Sequence, residues 1–295
     1  MAKLIRCITS DGAIMVSAID STDIVAKAES LHKTSAVVTA ALGRLLTAGS
    51  MMGNMLKGEK NSISVKIDGG GPSGAITVSA DSTGNVRGYA VNPVVEIPLK
   101  PNGKLDVSGA VGTSGNLFVT KDLGLKEPYN GFVPIMSGEI AEDITSYYAT
   151  SEQIPTVCAL GVLVNTDLTV KKAGGYILQL LPFTEDAIIT RLEENLKTVR
   201  PVTELLEKGW DIEEIVRDVL KGFEVEVIYE EHPEYKCKCS RNKIEGILSG
   251  LSQEDLSEMA NDPNGTEVKC QFCGETYTFS PEEIEKIKSE KTEKP

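Results

Sequence analysis

Hydrophobic and polar positions alternate through much of the N-terminal half of the chain, which predicts short strands joined by turns. The segments KLIRCITS and AIMVSAI flank Asp11-Gly12, and glycine in such a pair accepts the positive φ of a hairpin turn. SISVKID, GAITVSAD and NVRGYAV continue the pattern, and the apolar segments TVCALGVLVN and GYILQLLP predict further strands. The glycine-rich DGGGPSG lies between two strand patterns and lacks the lysine and hydroxyl residue of a phosphate-binding loop, so we predict a hairpin turn there.

Two stretches of the same region have helical spacing instead. From Ser35 to near Gly58, apolar residues recur every three or four positions, which predicts one long helix with its methionines in the core. A second helix is predicted for Ile140 to Ala149. Residues 1–182 are therefore predicted to form an α+β domain with substantial antiparallel sheet.

Residues 183–232 are predicted to form a helical linker region. In WDIEEI, Asp211 can cap a helix, Glu214 can complete the capping box, and Trp210 can pack on the first turn. This segment holds 14 acidic and 6 basic residues, so it carries much of the negative charge of the chain. Because like charges oppose compaction, the segment needs neighbouring elements to stay folded.

Residues 233–295 are predicted to form a third, small domain with three short helices that begin after Ser240, Ser252 and Ser280. Large apolar side chains are few in this segment, and domains of about 60 residues with so small a core commonly need a metal or a cross-link. The last residues, SEKTEKP, are predicted to be a frayed tail.

Composition narrows the possible functions. The chain has 295 residues and a net charge of -13, which opposes tight nonspecific binding to nucleic acid. No apolar run is long enough to span a bilayer and the start lacks the pattern of a signal peptide, so we expect a cytoplasmic protein without a membrane partner. His32 and His232, which are the only histidines, lack the spacing of a metalloprotease motif.

Four of the six cysteines form two closely spaced pairs, Cys237-Lys238-Cys239 and Cys270-Gln271-Phe272-Cys273, with 30 residues between the pairs. Four thiolates in this pattern are typical of a tetrahedral zinc site, and Gly274 suits the positive-φ turn of a metal knuckle. Iron–sulfur ligation and unmetallated thiols stay open as alternatives. A thioredoxin-type redox site is disfavoured because a strand pattern, ETYTF, and not a helix follows the second pair.

The other two cysteines, Cys7 and Cys158, lie in apolar strand patterns. No histidine or basic cluster accompanies either of them to lower the pKa of its thiol. We therefore predict that both are buried structural residues.

The cysteine constellation resembles that of the redox-regulated thirty-three-kilodalton heat-shock chaperone (chaperonin) family. The similarity covers essentially the whole chain, from the α+β domain through GYILQLLP and the following helices to KCKCS and VKCQFCG. It implies a zinc-dependent holdase of the stress response, which is not an enzyme and binds unfolding client proteins without ATP. It also implies a homodimer in the active state.

For this chain the resemblance implies that Cys237, Cys239, Cys270 and Cys273 bind one Zn²⁺ in the reduced, inactive state. Oxidation would form Cys237-Cys239 and Cys270-Cys273 disulfides, release zinc and unfold the linker region. No catalytic residue and no other cofactor is expected. Zinc would join residues across the 30-residue gap, whereas two disulfides within the pairs would leave the pairs unconnected.

Two other functions compete with this interpretation. A zinc-ribbon module that binds nucleic acid or a transcription partner predicts a basic face on the zinc domain and salt-sensitive binding. A thiol-disulfide oxidoreductase predicts catalytic turnover in an insulin-reduction assay, whereas a redox switch reacts once.

Overall fold

The computed structural model describes residues 1–292, and contacts between residues divide the chain into two compact units. Unit 1 is Met1–Lys236, and unit 2 begins at Cys237. By these contacts, residues 183–232 belong to unit 1. The predicted functional boundaries after residues 182 and 232 stay a prediction.

The elements of unit 1 follow one another in an order that mixes strands with helices. In chain order they are β1 (Lys3–Thr9), β2 (Ile14–Asp20), α1 (Thr22–His32), α2 (Ala36–Asn54), β3 (Ser62–Asp68), β4 (Ile76–Asp81), β5 (Val86–Ala90), α3 (Val107–Val111), β6 (Asn116–Asp122), β7 (Tyr129–Pro134), α4 (Ala141–Tyr147), a π-helical turn (Tyr148–Glu152), β8 (Thr156–Val164), β9 (Val170–Leu180), α5 (Asp186–Leu196), α6 (Val202–Glu207), α7 (Ile212–Val219) and β10 (Val225–Glu231).

The strands of unit 1 form two five-stranded antiparallel sheets. Sheet A has the order β10-β1-β2-β9-β8, and sheet B has the order β5-β4-β3-β6-β7. Inward positions alternate with outward ones along sheet B, as Ile63, Val65 and Ile67 are buried while Ser64 and Lys66 are partly exposed. This period-2 pattern is what predicted the strands.

Helix α2 forms the centre of the main core. It packs on strands of both sheets, and almost all of its residues are buried. By length and composition α2 could cross a membrane, but 89% of an 18-residue stretch of this helix is buried inside the protein, as in the core helix of a globular domain. The predicted helix from Ser35 is confirmed, and it ends at Asn54. Met51 and Met52 are fully buried, as predicted.

The opposite face of sheet A is covered by the helices of the acidic segment. Leu192 of α5, Leu205 of α6 and Ile215 of α7 pack with Ile5 and Leu178 of the sheet in a second apolar cluster. Helix α7 begins with the predicted capping box, in which Asp211 accepts a hydrogen bond from the Glu214 backbone N–H and the Glu214 carboxylate accepts one from the Asp211 N–H. These helices therefore mask an apolar sheet face.

Sequence patterns found most elements but not all of them. The β1–β2 hairpin with Gly12 at φ +70°, the β3–β4 pair and β8–β9 are confirmed. The predicted helix from Ile140 ends at Tyr147 and continues as the π-helical turn. The sequence analysis did not predict α1, α3, β6 or β7. It also missed β10, so the acidic segment is not entirely helical; this strand pairs with the distant β1.

The DGGGPSG segment is a turn between β3 and β4, as predicted. A Cβ atom at Gly71 would lie 2.4 Å from the Val111 carbonyl carbon, and one at Gly69 would lie 2.2 Å from the Gly112 carbonyl oxygen. Glycine is needed here because the backbone after α3 approaches the turn closely.

Unit 2 contains three helices and one hairpin among its described residues. They are α8 (Arg241–Leu248), α9 (Gln253–Asn261), β11 (Thr266–Lys269), β12 (Thr276–Phe279) and α10 (Pro281–Thr292). Ser240 and Ser252 accept hydrogen bonds from backbone N–H groups of the first turns that follow them, and Ser280 does the same for Glu283. All three predicted helix starts are confirmed. The expected frayed tail is wrong for residues 289–292, which continue α10, and residues 293–295 lie outside the described part.

Candidate metal centre

The four paired cysteines come together in unit 2. Cys237 and Cys239 lie in the extended segment before α8, and Cys270 and Cys273 lie in the turn between β11 and β12. Their four sulfur atoms all lie within 4.8 Å of one another, so this group could hold a metal ion. Cys270 is buried and the other three are partly buried.

Backbone geometry holds the second pair in place. The Cys270 N–H donates to the Glu275 carbonyl at 2.8 Å, and the Gly274 N–H donates to the Cys270 carbonyl at 2.8 Å. Gly274 has φ +76°, which confirms the positive-φ turn expected from the sequence. The tight turn points both cysteine side chains of this pair towards the same cluster.

Distances between sulfur atoms suit shared coordination. The sulfur of Cys237 lies 3.7 Å from that of Cys270, and the sulfur of Cys239 lies 3.4 Å from that of Cys273. A disulfide would need about 2.05 Å, and all six cysteines of the chain are free thiols. Tetrahedral coordination with zinc–sulfur bonds of about 2.3 Å separates sulfur atoms by about 3.8 Å. The four cysteine sulfur atoms therefore fit Zn²⁺ or another thiophilic cation of similar size.

The surroundings of the cluster favour the protonated thiol form of Cys273. Burial is the main cause that raises the pKa of the Cys273 thiol, and hydrogen bonds among the four thiols act in the same direction. A cation would act in the opposite direction, because it favours thiolate over thiol. A site of this kind binds its metal with release of protons.

Tyr277, on β12, was not recognised as a site residue from the sequence. Its hydroxyl donates a hydrogen bond to the Cys239 sulfur at 3.2 Å, and this bond is the main cause that raises the pKa of Tyr277. The alternation in ETYTF was a signal for the strand. It did not indicate that Tyr277 would face the first cysteine pair, which is almost 40 residues away along the chain.

The apolar core of unit 2 is small. Its fully packed side chains among the described residues are Ile244, Leu248, Leu256, Phe279 and Ile284. The Arg241 guanidinium lies 4.3 Å from the centre of the Phe279 ring and forms an ion pair with Glu283 at 2.7 Å. So few buried residues favour a unit that depends on an additional cross-link.

The environment of the second pair differs from a thioredoxin-type site. Cys270 and Cys273 follow a strand and precede another strand, so neither thiol lies at a helix N-terminus, the position that favours a thiolate in a thioredoxin-type site. Cys7 and Cys158 belong to unit 1. Burial raises the pKa of the Cys7 thiol to about 11 and also raises that of Cys158. Cys7 is buried, as predicted, whereas Cys158 on the edge strand β8 is only partly buried.

Comparisons with known proteins agree on one family. The model of the "Hsp33 protein" family matches residues 2–280. A 33 kDa chaperonin of Clostridium perfringens is 46% identical over 290 residues, covering 98% of this chain and 92% of the relative. A 33 kDa chaperonin of Agathobacter rectalis is 45% identical, covering 97% of this chain and 99% of the relative.

A solved structure is similar over the same extent. The crystal structure of the 33 kDa chaperonin (heat shock protein 33 homolog) of Thermotoga maritima matches with a TM-score of 0.88 and 34% identity, covering 98% of both chains. The fold and the cluster define an α+β protein with a small C-terminal unit rich in thiols. The chain belongs to the Hsp33 protein family, which confirms the resemblance seen in the cysteine motif.

Proposed function

We propose that this protein is a molecular chaperone of the cytoplasm that binds unfolding proteins without ATP and acts as a holdase. Cys237, Cys239, Cys270 and Cys273 would bind one Zn²⁺ per chain in the reduced, inactive state. The observation that carries the proposal is the gathering of four thiol groups within 4.8 Å in a unit with a very small core. The names of the relatives, which are 33 kDa chaperonins, support the chaperone class.

The cysteine pairs are the proposed sensor. When bound, Zn²⁺ would hold four thiolates together and thereby join the segment before α8 to the β11–β12 turn. In the oxidised state Cys237 would be bonded to Cys239, and Cys270 to Cys273. Each disulfide removes two electrons and two protons from two thiols, and one molecule of hydrogen peroxide accepts them and becomes two molecules of water.

Loss of the long-range link would destabilise unit 2. Each disulfide closes a loop of only a few residues, so neither restrains the distance between the two pairs. The five buried side chains of the small core would then have to hold the unit alone. We infer that oxidation unfolds this unit.

The proposed activation continues in the acidic linker region. The chain segment that leads into unit 2 is attached to β5, since the Lys236 N–H donates to the Val86 carbonyl at 2.9 Å. Helices α5 to α7 carry excess negative charge and cover the apolar face of sheet A. If these helices detach, Ile5, Val16 and Leu178 become accessible to an unfolding client.

Homodimer formation is part of the proposal for the active state. Strand β8 is an edge of sheet A, all nine of its residues are partly exposed, and none of them is charged. Natural proteins usually protect such an edge with lysine, proline or a covering element. Pairing of two β8 strands would protect it by symmetry.

The two competing functions find less support. Acidic residues outnumber basic ones in unit 2, which opposes binding to phosphate backbones. A thiol-disulfide oxidoreductase would reduce insulin repeatedly, whereas this protein is expected to show no turnover. We therefore propose that clients, and not nucleic acids, are its macromolecular partners.

Suppression of client aggregation tests the proposal. A heat-unfolded client is mixed with the reduced, zinc-loaded protein or with protein treated with hydrogen peroxide at elevated temperature, and light scattering is followed. We expect protection by the oxidised form only, accompanied by release of one zinc per chain. Equal protection by both forms would refute the redox switch, and absence of protection by either would refute the holdase.

A further inference from the structure

The chain passes from β9 into α5 through a tight turn, residues 181–184, which is called the strained turn. The Thr184 N–H donates to the Leu181 carbonyl at 3.3 Å, and Pro182 and Phe183 occupy the two central positions. The φ of Phe183 is +68°, and proline keeps its own φ near about −65°, so the turn is of type II. The second central position of a type II turn normally takes glycine, because a residue with a Cβ atom is strained at positive φ.

No packing of the ring offsets the strain at Phe183, since its side chain is fully exposed. The neighbouring backbone imposes the conformation instead. The Leu181 N–H donates to the Ala13 carbonyl at 2.8 Å, and the Thr184 hydroxyl lies 3.0 Å from the same carbonyl and 2.7 Å from that of Leu181. Strain of this kind persists only while such contacts fix the backbone, so it is released when they open.

Helix α5, which follows the strained turn, buries fewer side chains than α6 or α7. Among the described residues of α5 only Leu192 is buried, and Ile188 and Leu196 are partly buried. The shorter helices α6 and α7 bury three and four side chains. Because burial of apolar surface is the main term that holds a helix on a sheet, α5 loses the least when it detaches.

The polar contacts of α5 are concentrated at its C-terminal end. The Asn195 amide donates to the Val219 and Lys221 carbonyls at 3.2 and 2.9 Å, which ties this end of α5 to the end of α7. At the other end, the Glu185 side chain makes no capping hydrogen bond, whereas α7 begins with a complete capping box. The first turns of α5 therefore lack the cap that stabilises the start of α7.

An open groove of about 460 Å³ lies beside the first two turns of α5. Ala187, Ile188 and Arg191 of α5 line one side of it, and the other side includes Asp11 of the β1–β2 turn and Phe223 of the α7–β10 turn. The side chains of α5 thus leave space between this helix and its neighbours. Solvent in the groove reduces the apolar contact that would keep the start of α5 in place.

The opposite end of the acidic segment is fastened more firmly. Strand β10 pairs with β1 along its length. After β10, the Val86 N–H donates to the Glu234 carbonyl at 3.0 Å, and the Lys236 N–H donates to the Val86 carbonyl at 2.9 Å. The Tyr235 hydroxyl donates to the Gly88 carbonyl at 2.8 Å. The acidic segment is therefore held most weakly where it leaves β9, and not where it leads to the cysteine pairs.

We propose that the strained turn is a hinge, and that α5 opens on it as a local unit before α6 and α7, already in the reduced protein. Opening lets Phe183 leave positive φ at the loss of little apolar burial. The residue at position 183 therefore sets how large a fraction of the molecules has α5 open. This inference rests on the proposed function for its use, because it names the first step by which the acidic segment uncovers sheet A.

Hydrogen exchange of backbone amides in the reduced, zinc-loaded full-length chain tests the inference. Exchange through local opening reports the population of the opened form, and mass spectrometry of peptides resolves the helices. After correction for intrinsic exchange rates, amides of α5 are expected to exchange at least tenfold faster than amides of α7. Equal protection of the two helices would overturn the separate opening of α5.

Variants at position 183 test the hinge. Phe183→Gly is expected to slow exchange of α5 about fivefold, because relief of strain in the closed form outweighs the freedom that glycine adds to the opened form. Phe183→Ala removes the ring but keeps a Cβ atom at positive φ, so it should change the rate by less than twofold.

Leu168→Gly is the matched control. Leu168 also has a positive φ, +71°, but it lies in the turn between β8 and β9, so its replacement should leave exchange of α5 unchanged. Circular dichroism should show the same fold for all three variants. An unchanged rate in Phe183→Gly would overturn the role of the strained turn, and so would an equal slowing by Phe183→Ala or by Leu168→Gly.

This outcome is separate from that of the chaperone proposal. Exchange is measured without oxidant or client, whereas the aggregation assay compares the two redox states. If α5 opens first but neither form suppresses aggregation, the chaperone proposal fails and the hinge stands. If the oxidised form suppresses aggregation and Phe183→Gly exchanges like the unsubstituted chain, the hinge fails alone.

Discussion

Tyr277 joins the candidate metal centre to the neighbouring strand β12, because its hydroxyl donates a hydrogen bond to the sulfur of Cys239. A hydroxyl that donates to sulfur stabilises the negative charge of a thiolate and makes that sulfur a weaker nucleophile. Tyr277, on β12, is therefore expected to make the Cys239 thiolate less reactive.

Replacement of Tyr277 by phenylalanine is expected to speed up oxidation. Loss of a hydrogen bond worth roughly 1 kcal/mol to the thiolate corresponds to an increase on the order of threefold to tenfold in the rate of attack on peroxide. The measurement is loss of free thiols over time in the zinc-loaded protein. Tyr129→Phe, which removes a hydroxyl in unit 1, is the control and should leave the rate unchanged. An unchanged or lower rate in Tyr277→Phe would contradict this role.

Asp143 illustrates a residue whose importance was invisible in the sequence. Its carboxylate is fully buried and accepts hydrogen bonds from the backbone N–H groups of Met136, Ser137 and Ile140. A buried carboxylate is tolerated only when such donors surround it. The donors come from a loop that has no regular pattern, so no periodicity could have indicated them.

At the scale of elements, Glu139 connects parts of unit 1 that are distant in sequence. It lies before α4 and forms ion pairs with Arg44 of α2, at 2.6 Å, and with Lys100 of the loop before α3. Burial by itself raises the pKa of Glu139, but hydrogen bonds from Lys100 and Arg44, together with their charges, outweigh it and hold the pKa below 4.5. The ionised form is thus favoured in the folded state.

Stability is therefore expected to depend on pH through this group. A carboxyl with a lowered folded-state pKa stabilises the protein above its unfolded pKa, and this contribution is lost as the pH falls through the lower, folded value. Glu139→Gln should reduce the free energy of unfolding by roughly 1–3 kcal/mol at pH 7. The difference from the unsubstituted protein should shrink below pH 4, as urea unfolding would measure. A difference that stays constant between pH 7 and pH 3 would contradict the proposed cause.

The two sheets of unit 1 differ in what covers their outer faces. Residues of sheet A that point away from α2 pack on α5 to α7, whereas sheet B leaves Phe118 and Phe132 exposed. Sequence patterns predicted β1, β2, β8 and β9 of sheet A and β3, β4 and β5 of sheet B. They could not distinguish a face that meets helices from one that is exposed, because that depends on where distant elements pack.

At the scale of the whole molecule, the two units differ in the size of their cores. Unit 1 has two large apolar clusters around α2 and around sheet A, while unit 2 has one small cluster. Structural zinc contributes on the order of 10–16 kcal/mol in small domains, which exceeds what so small a core supplies. The stability of unit 2 should therefore depend on metal and that of unit 1 should not.

Removal of metal is expected to unfold unit 2 selectively. A chelator added to the reduced protein should lower helix content in far-UV circular dichroism by the share of α8 to α10, and added zinc should restore it. A cooperative thermal transition of unit 1 should persist. If the chelated protein contains no metal and yet keeps its full helix content, the proposed dependence on zinc is wrong.

The sequence by itself determined features that arise from neighbouring residues. The helix caps at Ser240, Ser252 and Asp211 and the turn at Gly274 follow from local backbone chemistry, so a pattern a few residues long was sufficient. The two cysteine pairs indicated a metal site because their chemistry is specific even without a structure. Tertiary structure alone decided the pairing of β10 with β1, the contact of Tyr277 with Cys239 and the exposure of Phe118 and Phe132 on sheet B. Those features join residues far apart in the chain, and their geometry is set by the packing of whole elements, which no short sequence pattern contains.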